Sequence, residues 1–259
     1  MSEFYGLFLS RLVPSSQTMH PDSLQYKQSL AVLKESALFG LLADELLYDM
    51  RSRFSYEVWG KKRFNTTQEI AGRFHILLSG RLKVFANNPD TGRSITLFLL
   101  GPGDGFDVIN LLRGQPAELL FEAVDSVELL SIPVEKAREW IFLHPEFNRT
   151  FFPYLGSLMG KLALLSADLA LHDTETRLAR LILQHANPER EDDSLHLIHN
   201  MSHASLAEMI GTVRTVINRQ LQHWKEKGII ELDRRQLHVK DLHALSEKAR
   251  DLIYSHRMH

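Results

Sequence analysis

Residues 201–239, MSHASLAEMIGTVRTVINRQLQHWKEKGIIELDRRQLHV, decide the fold class of the second half of the chain. Ser202 is a typical helix N-cap, and the residues after it predict a short helix over residues 204–210. Gly211 ends that helix, and a second helix is predicted over residues 214–227. Two short helices joined by a glycine-containing turn are typical of the helix-turn-helix motif.

The residues that follow the helix pair predict a β-hairpin. Gly228 ends the second helix, and residues 229–232 and 237–239 have the composition of two short strands around a polar turn at residues 233–236. A hairpin in this place forms a wing beside the two helices. The sequence therefore predicts a winged helix-turn-helix domain.

Charge supports a contact between this domain and DNA. Residues 201–240 hold seven Lys/Arg and four Asp/Glu, whereas the whole chain has a formal net charge of −2. Arg214 and Arg219 lie five residues apart, roughly 140° around a helix, so both can reach one groove edge or its phosphates. A solvated basic helix is the alternative interpretation. The predicted DNA-contacting residues are Thr212, Arg214, Thr215, Asn218, Arg219, Lys225, Arg234 and Arg235.

Residues 54–133 predict a β-rich domain. Short runs of β-type residues alternate there with glycine- and asparagine-rich turns, a pattern typical of a sandwich or barrel. The strand-like runs are residues 73–79, 81–85, 94–100 and 124–132, and the turns are residues 79–80, 87–92 and 101–105. Helical spacing over residues 29–53 predicts short helices before this domain.

After Pro145 the strand pattern stops and a heptad pattern begins. Apolar residues recur at alternating steps of four and three, and such a seam favours packing against the same helix of a second copy. Packing of one helix on its own barrel is the alternative. His172 ends the seam, Asp173 is a predicted cap for the next helix, and a hinge is expected at residues 172–174. The predicted dimer residues are Phe151, Leu155, Leu158, Leu162, Leu165 and Leu169.

Composition excludes several classes of protein. The 259 residues contain no cysteine, which excludes disulfides, thiolate zinc sites and iron–sulfur clusters held by cysteine. The N-terminus lacks the pattern of a signal peptide, and Lys161 and Asp168 interrupt the most apolar segment, so we expect a cytoplasmic protein. A metal enzyme on a barrel needs several histidines inside it, whereas residues 54–133 contain only His75. We therefore do not expect an enzyme. A cupin-like barrel that acts only through protein partners is a third alternative, but it would not require the basic helix-turn-helix.

Four segments, in this order, carry a resemblance to a known family: ILLSGRLKV at residues 76–84, GDGF at 103–106 followed by LLRG at 111–114, the long helix that ends at residue 171, and LAEMIGTVRTVINR at 206–219. The chain, over residues 29–245, resembles the Crp/Fnr family of bacterial transcription regulators. The resemblance implies an α+β protein with an N-terminal double-stranded β-helix (jelly-roll) sensor domain, a long dimerisation helix and a C-terminal winged helix-turn-helix.

The implied organisation has five parts. Residues 1–28 are an extension of open role, residues 29–143 the cyclic-nucleotide-binding-like sensor, residues 144–172 the dimerisation helix, residues 173–245 the DNA-binding domain and residues 246–259 a tail. The implied partners are double-stranded DNA with a palindromic operator, a second copy of the chain, and RNA polymerase if the protein is an activator.

Within the second helix of the motif, the resemblance assigns specific contacts. Arg214 and Arg219 match positions that contact guanine and phosphate in the family. Thr215 stands where the family usually has a glutamate that binds the cytosine amino group, so we expect an operator unlike the common half-site. Val213 replaces a usual Ser or Thr cap and leaves Thr212 as the expected substitute.

The sensor departs from the family members that bind cyclic nucleotides. Those members have a Gly-Glu pair on the ribose and an Arg-Ser pair on the phosphate, whereas Asp107-Val108 and Ala117-Glu118 stand here. A nucleotide phosphate would meet Glu118, a contact between like charges, so cyclic AMP is not expected as a conventional effector. The candidate effector pocket is Phe106, Asp107, Val108, Ala117 and Glu118.

Two hypotheses involving histidine stay open at this level. Haem is an alternative cofactor because imidazole alone can hold the iron, but His75 has the pattern of a packed strand residue and His20 lies in the extension. A metal site formed by His185, His196, His199 and His203 has suggestive spacing, yet the predicted strand and cap place these residues apart, so no metal is expected.

Overall fold

The structure is a computed structural model that describes residues 20–21, 23–115, 117–185, 198, 200–233 and 236–249. In chain order its elements are α1 (Leu24–Glu35), α2 (Asp44–Ser52), β1 (Ser55–Trp59), β2 (Phe64–Thr66), α3 (Thr67–Ile70), β3 (Arg73–Ser79), β4 (Leu82–Asn87), β5 (Ser94–Leu100), β6 (Gly105–Phe106), α4 (Val108–Arg113), β7 (Leu120–Ala123), β8 (Val127–Pro133), α5 (Val134–Leu143), α6 (Pro145–Leu171), α7 (Thr174–His185), α8 (His203–Met209), α9 (Arg214–Glu226), β9 (Ile230–Asp233), β10 (Gln236–Val239) and α10 (Leu242–Ala249).

Contacts divide the chain into two compact units. The first unit runs to Leu82 and includes Gly101–Tyr154, and the second combines Lys83–Leu100 with the chain from Leu155 onward. The second unit is therefore discontinuous in sequence, because it takes most of β4 and all of β5 from the predicted sensor domain. The domain boundaries inferred from the sequence stay a prediction.

The first unit is built on an antiparallel sheet with the strand order β1-β8-β3-β6. Its central strand β3 is buried from Phe74 to Leu78 because both faces of the strand are covered, which suits its nearly continuous apolar sequence. A register shift follows Leu77 in the pairing with β8. A second antiparallel pair, β2 with β7, places Asn65 opposite Phe121.

Aromatic rings fill the helical side of the first unit. The ring of Phe39 lies 6.3 Å from the rings of both Phe54 and Trp140, and Phe147 stacks on Phe151 at 5.4 Å. All five rings are buried. These offset and edge contacts add to the stabilisation that burial itself provides.

Several elements differ from the sequence-based expectation. β3 and β5 have the predicted bounds, whereas β8 begins at Val127, three residues later than predicted. Helix α1 begins at Leu24, before the predicted start at residue 29, because the Ser23 side chain accepts a hydrogen bond from the Tyr26 N–H and caps it. The prediction had no signal for the short strands β1, β2, β6 and β7.

The long helix α6 spans 27 residues and ends where the hinge was predicted. Among the described residues it is the one helix that is long and apolar enough to cross a membrane by length and composition, with 11% of its most apolar window buried. Asp168, inside this helix, is bonded to Arg180 at 2.5 Å. Asp173 then caps α7 by accepting a hydrogen bond from the Thr176 N–H at 2.8 Å, as predicted.

The second unit has its own apolar core. Helices α7, α8, α9 and α10 bury their facing sides there, together with the strand β9 that begins the hairpin. The least exposed side chains of this core are Leu178, Ala179, Ile182, Ile217, Leu221, Trp224, Leu245 and Ala249, each at most 1% exposed. This core holds the helix-turn-helix in place.

Candidate nucleic-acid interface

Helices α8 and α9 form the predicted helix-turn-helix. Ser202 caps α8, because its hydroxyl accepts a hydrogen bond from the Ser205 N–H at 3.1 Å. The helix ends at Met209, and Gly211 follows with a φ of +67°. The predicted bounds of both helices agree with the structure to within one residue.

Gly211 is required at the turn for two reasons. Its positive φ is a conformation that residues with a Cβ rarely adopt. A Cβ at this position would also lie 2.6 Å from Cδ2 of Leu169 and 3.5 Å from a guanidinium nitrogen of Arg177. Leu169 and Arg177 can therefore approach the turn closely only because Gly211 has no side chain.

Helix α9 has one buried face and one exposed face. Ile217, Leu221 and Trp224 are 0%, 1% and 0% exposed. Four of the predicted DNA-contacting residues, Arg214, Thr215, Asn218 and Arg219, are all exposed on the helix, and so is Lys225. Thr212 is partly buried in the turn. The fold thus leaves a polar, basic face of α9 open to a large partner.

The start of α9 departs from the expected cap. Val213 occupies the N-cap position and offers no side-chain hydrogen bond. Thr212 uses its backbone N–H to bond the carbonyl of Ala207 at 2.9 Å. The start of α9 has no side-chain cap hydrogen bond, so the expected substitute cap by Thr212 is not formed.

A partly buried hydrogen bond anchors α9 to α7, and an ion pair anchors α10 to the same residue of α7. The indole Nε1 of Trp224 donates to Oε1 of Glu175 in α7 at 3.1 Å, and Nζ of Lys248 in α10 donates to the same oxygen at 2.6 Å. The Lys248 ammonium, followed by the Trp224 indole, lowers the pKa of the Glu175 carboxyl below its ordinary value. Three helices are thereby joined at one carboxylate.

The wing is present as predicted. β9 and β10 pair antiparallel, with Leu232 opposite Leu237, and Lys240 forms an exposed ion pair with Glu231 at 2.8 Å. The Lys240 ammonium lowers the pKa of the Glu231 carboxyl. Arg234 and Arg235, predicted to contact DNA from the turn, lie outside the described residues.

The first helix of the motif contacts the second through exposed polar side chains. Nδ1 of His203 lies 2.5 Å from Oδ1 of Asn218. The sequence prediction placed Asn218 on the polar face but gave His203 no role beyond the hypothetical metal site. Among the described residues there is no group of three or more potential metal ligands. His196 and His199 lie outside the described part of the chain.

The β4–β5 hairpin supports α8 within the second unit. Nζ of Lys83 lies 2.8 Å from Oε2 of Glu208 and 4.3 Å from the centre of the Phe85 ring. The Lys83 side chain is only 7% exposed, so a nearly buried ammonium is balanced by a carboxylate of α8. Pairs this far apart in sequence give no local signal.

The candidate effector residues differ in exposure. Phe106, Asp107 and Val108 are buried, Ala117 is partly buried and Glu118 is exposed. Asp107 has a φ of +61°, and its Oδ2 accepts a hydrogen bond from Nδ2 of Asn110 at 3.0 Å. Burial raises the pKa of the Asp107 carboxyl to about 6. This strained, buried carboxyl stands at the position where the members of the resembled family that bind cyclic nucleotides have glycine.

His75 is a packed strand residue. Its ring stacks on Phe106 at 4.8 Å and meets the edge of Trp59 at 5.6 Å, and the residue is 2% exposed. Burial lowers the pKa of the imidazole to about 4, although Glu57 acts in the opposite direction. Aromatic neighbours in contact with the ring fit packing rather than iron ligation, so this histidine does not fit a haem.

The predicted dimer residues are unequally buried within one chain. Phe151 is 0% and Leu158 8% exposed, and Leu155, Leu162, Leu165 and Leu169 are partly buried. On the same helix, Phe152 is 54% and Met159 63% exposed. These two residues are seven positions apart and therefore lie on one helical face.

Comparison with known proteins agrees with this geometry. A model of the Crp-like helix-turn-helix domain matches residues 176–248, and a model of the cyclic nucleotide-binding domain matches residues 66–143. The global nitrogen regulator of Nostoc sp. is 30% identical over 173 residues, which cover 65% of this chain and 77% of that protein.

The chain belongs to the Crp/Fnr family. A second similar protein is the CRP-like cAMP-activated global transcriptional regulator of Mycobacterium tuberculosis, which is 26% identical over 184 residues, 70% of this chain and 82% of that protein. Such relatives are transcription regulators, in agreement with the expectation that this chain is a regulator and not an enzyme.

Solved structures of the Crp/Fnr family share the fold. A mutant of CooA from Carboxydothermus hydrogenoformans has a TM-score of 0.69 at 24% identity, over 84% of this chain and 97% of that one. A transcriptional regulator of the CRP family from Thermus thermophilus has a TM-score of 0.62 at 24% identity, over 75% and 97%. The predicted fold class, a β-sheet sensor, a long helix and a C-terminal helix-turn-helix, is confirmed.

Proposed function

We propose that this Crp/Fnr regulator acts in the cytoplasm as a homodimer that binds a palindromic DNA operator and does not use cyclic AMP as a conventional effector. The exposed face of α9 carries the proposal, because it presents Arg214, Thr215, Asn218 and Arg219 above a fully buried apolar face. A helix of this kind enters the major groove, where side chains can distinguish base pairs.

Arginine and threonine at neighbouring positions favour an unusual half-site. Arg214 and Arg219 can each form two hydrogen bonds to guanine. Thr215 carries no charge, so it cannot form the charged contact that a glutamate at this position makes with the cytosine amino group in the resembled family. We therefore expect half-sites that keep guanine contacts but differ from the common family sequence at the base pair facing Thr215.

The dimer is proposed to form through α6. The partly buried residues Leu155, Leu162, Leu165 and Leu169 line one side of the predicted seam, and the exposed Phe152 and Met159 extend it. Apolar side chains exposed along a long helix favour pairing with a second copy. Two-fold symmetry then places the two α9 helices on half-sites about one helical turn of DNA apart.

A regulator that activates transcription would also contact RNA polymerase.

The sensor residues support an effector other than cyclic AMP. The carboxylate of Glu118 stands, exposed, at a position where the nucleotide-binding family members have serine beside a phosphate-binding arginine, and Ala117 replaces that arginine. Asp107 and Val108, buried at the start of α4, replace the Gly-Glu pair. A cyclic phosphate would lose its positive partner and face a negative one.

Selection of binding sites from random duplex DNA tests the proposal. The full chain is used at one fixed moderate salt concentration, because phosphate contacts make affinity strongly salt-dependent. Parallel selections contain no ligand, cyclic AMP or haem. Enrichment of the same palindrome in all three is the expected result.

The other outcomes are distinct. Enrichment only with cyclic AMP would contradict the proposed loss of that effector, and enrichment only with haem would favour a haem-dependent regulator. Enrichment of a site without two-fold symmetry would contradict the dimer. A failure to enrich any sequence in every selection would contradict DNA binding itself.

A further inference from the structure

A cleft within the second unit lies where four of its elements meet. Its volume is about 470 Å³, and its lining comes from β5, α6, α7 and the end of α8. Every residue of this lining belongs to the second unit. Sites for small organic molecules have volumes of roughly 300–1,000 Å³. The cleft is therefore large enough for a ligand of that class.

Two side chains of the lining hold buried polar atoms that have no hydrogen-bond partner among the described residues. Oγ1 of Thr96 in β5 is one such atom, and Thr96 is only 4% exposed. Nε of Arg177 in α7 is the other. A buried donor without a partner costs free energy, and folded proteins leave few of them unpaired. A polar ligand in the cleft would supply the missing partners.

The charges of the cleft favour an anion. Asp168 is the one carboxylate among the described residues that line it, and its Oδ1 is already bonded to Arg180 at 2.5 Å. The guanidinium of Arg177 has no ion pair within the described part of the chain, and the exposed Lys161 adds a second positive charge to the lining. A guanidinium binds a carboxylate through two parallel hydrogen bonds.

Most of the remaining lining is apolar. Leu181 and Met209 belong to the apolar core of the second unit, and Leu99 packs against that core. A second copy of α6 is a poor occupant, because the charges of Lys161 and Asp168 would be dehydrated against an apolar helix. The lining instead suits a small molecule with a carboxylate and an apolar body.

The cleft adjoins the turn of the helix-turn-helix. Met209 is the last residue of α8, and the next residue, Ile210, also lines the cleft and is 3% exposed. A Cβ on Gly211 would lie 3.5 Å from a guanidinium nitrogen of Arg177. A ligand bound to Arg177 is therefore close to the residues that connect α8 to α9. Such a ligand favours the arrangement of β5, α6, α7 and α8 that forms its site, and it can shift the helix-turn-helix toward that arrangement.

We propose that this cleft is an effector site for an amphipathic organic anion, whose carboxylate binds the Arg177 guanidinium and whose apolar body lies against Leu99, Leu181 and Met209. Binding of the anion changes the affinity of the protein for its operator. The change in operator affinity rests on the proposed DNA-binding function, whereas the binding of the anion does not.

Isothermal titration calorimetry of the full chain tests the site, with octanoate as the probe. Octanol keeps the apolar body without the charge, and acetate keeps the carboxylate without the apolar body. We expect one octanoate per chain, with a Kd about tenfold or more below those of octanol and acetate, the effect of one hydrogen bond to a charged group. Equal Kd values for octanoate and octanol would overturn the site.

Three variants test the role of Arg177. Arg177→Met keeps an unbranched side chain and removes the charge, so octanoate should bind about tenfold or more weakly while octanol binds as before. Arg177→Lys keeps a positive charge and should recover part of the affinity for octanoate. Arg149→Met is the matched control, because Arg149 is exposed on α6 and does not line the cleft.

Thermal unfolding of each variant monitors the fold, and the comparison of octanoate with octanol on wild type decides the site without any variant. A purely structural role of Arg177 would weaken the binding of octanoate and octanol equally. A folded Arg177→Met protein that binds octanoate as tightly as wild type would contradict the proposal.

Titration of the selected operator measures the coupling between the two sites. Saturating octanoate should change the Kd for the operator about fivefold or more, the lower end of typical coupling between two sites, and acetate at the same concentration should not. An unchanged Kd with octanoate bound would overturn the effector role. If wild type enriches no DNA sequence, the DNA-binding function is wrong, and the calorimetry still decides the anion site.

Discussion

The indole Nε1 of Trp224 donates a hydrogen bond to the carboxylate of Glu175 at 3.1 Å, while the Trp224 ring is completely buried. This bond fixes α9 on α7. The Glu175→Ala variant leaves a buried N–H without its acceptor, which costs about 1–3 kcal/mol in the free energy of unfolding. Glu175→Gln keeps an acceptor for Trp224 and loses only the charge that faces Lys248. Urea unfolding at neutral pH should give a lower free energy of unfolding for Glu175→Ala than for Glu175→Gln. Equal free energies of unfolding for the two variants would contradict the role of the indole bond.

Gly211→Ala should destabilise the protein by about 1–2 kcal/mol, the cost of a left-handed conformation for a residue with a Cβ. The φ of +67° and the contact with Leu169 both oppose the new methyl group. Gly72→Ala is the control, because its Cβ would meet nothing within 4 Å and its φ is not in the left-handed region. Thermal unfolding compares the two. A melting temperature unchanged by Gly211→Ala would show that the turn relaxes freely.

Asp107 makes the stability of the protein depend on pH in an unusual direction. Burial raises the pKa of its carboxyl from 3.8 to about 6, so between these values the folded protein holds a proton that the unfolded chain has released. The stabilising contribution is therefore present below about pH 4 and is lost as the pH rises through 6, by on the order of 3 kcal/mol. Asp107→Asn, which cannot ionise and tolerates positive φ, should be the more stable protein at pH 7.

His75 changes the free energy of unfolding with pH in the opposite direction to Asp107. The measurement of the Asp107 effect must therefore separate the two groups. Its pKa is lowered from 6.5 to about 4, so its contribution is present above pH 6.5 and is lost as the pH falls toward 4. The two groups partly cancel in the wild-type profile. The difference in unfolding free energy between Asp107→Asn and wild type isolates Asp107, and a difference that does not change from pH 4 to pH 7 would contradict the raised pKa.

Leu162→Asp should convert the proposed dimer to a monomer that binds the operator poorly. A carboxylate in an apolar seam between two helices must be dehydrated, at a cost that the pairing cannot offset. Leu41→Asp is the control, because Leu41 is 85% exposed and lies outside α6. Sedimentation equilibrium gives the mass of each variant. A Leu162→Asp protein that stays dimeric would contradict the seam.

Arg219→Ala and Arg235→Ala should weaken DNA binding in different ways. Arg219 is predicted to contact a base or its phosphate, so its loss should cost about 1–3 kcal/mol on the operator and less on random DNA. Arg235, in the wing turn, is predicted to contact phosphate and should affect both DNAs about equally. Titration of each variant on both duplexes at one salt concentration gives the ratio. Equal losses for the two variants would contradict the assigned roles.

The features that could be predicted from the sequence are those that single residues determine over a few neighbouring positions. The ends of α8 and α9 depend on Ser202, Gly211 and Gly228, whose effects extend over a few residues, and the predicted bounds are correct to within one residue. The turn glycines of the first unit and the cap at Asp173 are of the same kind. In each case the residue acts on its immediate neighbours.

The remaining features depend on distant parts of the chain. Lys83 and Glu208 are 125 positions apart, and no pattern within either segment indicates that they pair. His203 carries no sign of its bond to Asn218, since both residue types are common on surfaces. Phe151 follows the heptad pattern of α6, yet the aromatic cluster of its own chain buries it completely, because periodicity indicates an apolar face and not what covers it.

The discontinuous second unit has a consequence for synthesis of the chain on the ribosome. Residues 83–100 are made early, but the helices they support begin only after Leu155. Until those helices emerge, the Lys83 ammonium has no Glu208 carboxylate to accept its hydrogen bond, and the apolar side of β5 has no α8 to cover it. Contacts between segments so far apart in sequence form slowly, because a long stretch of chain must be closed into a loop. We expect the nascent hairpin to be the segment most prone to aggregation, and a fragment that starts at residue 155 to be insoluble unless residues 83–100 are supplied in trans.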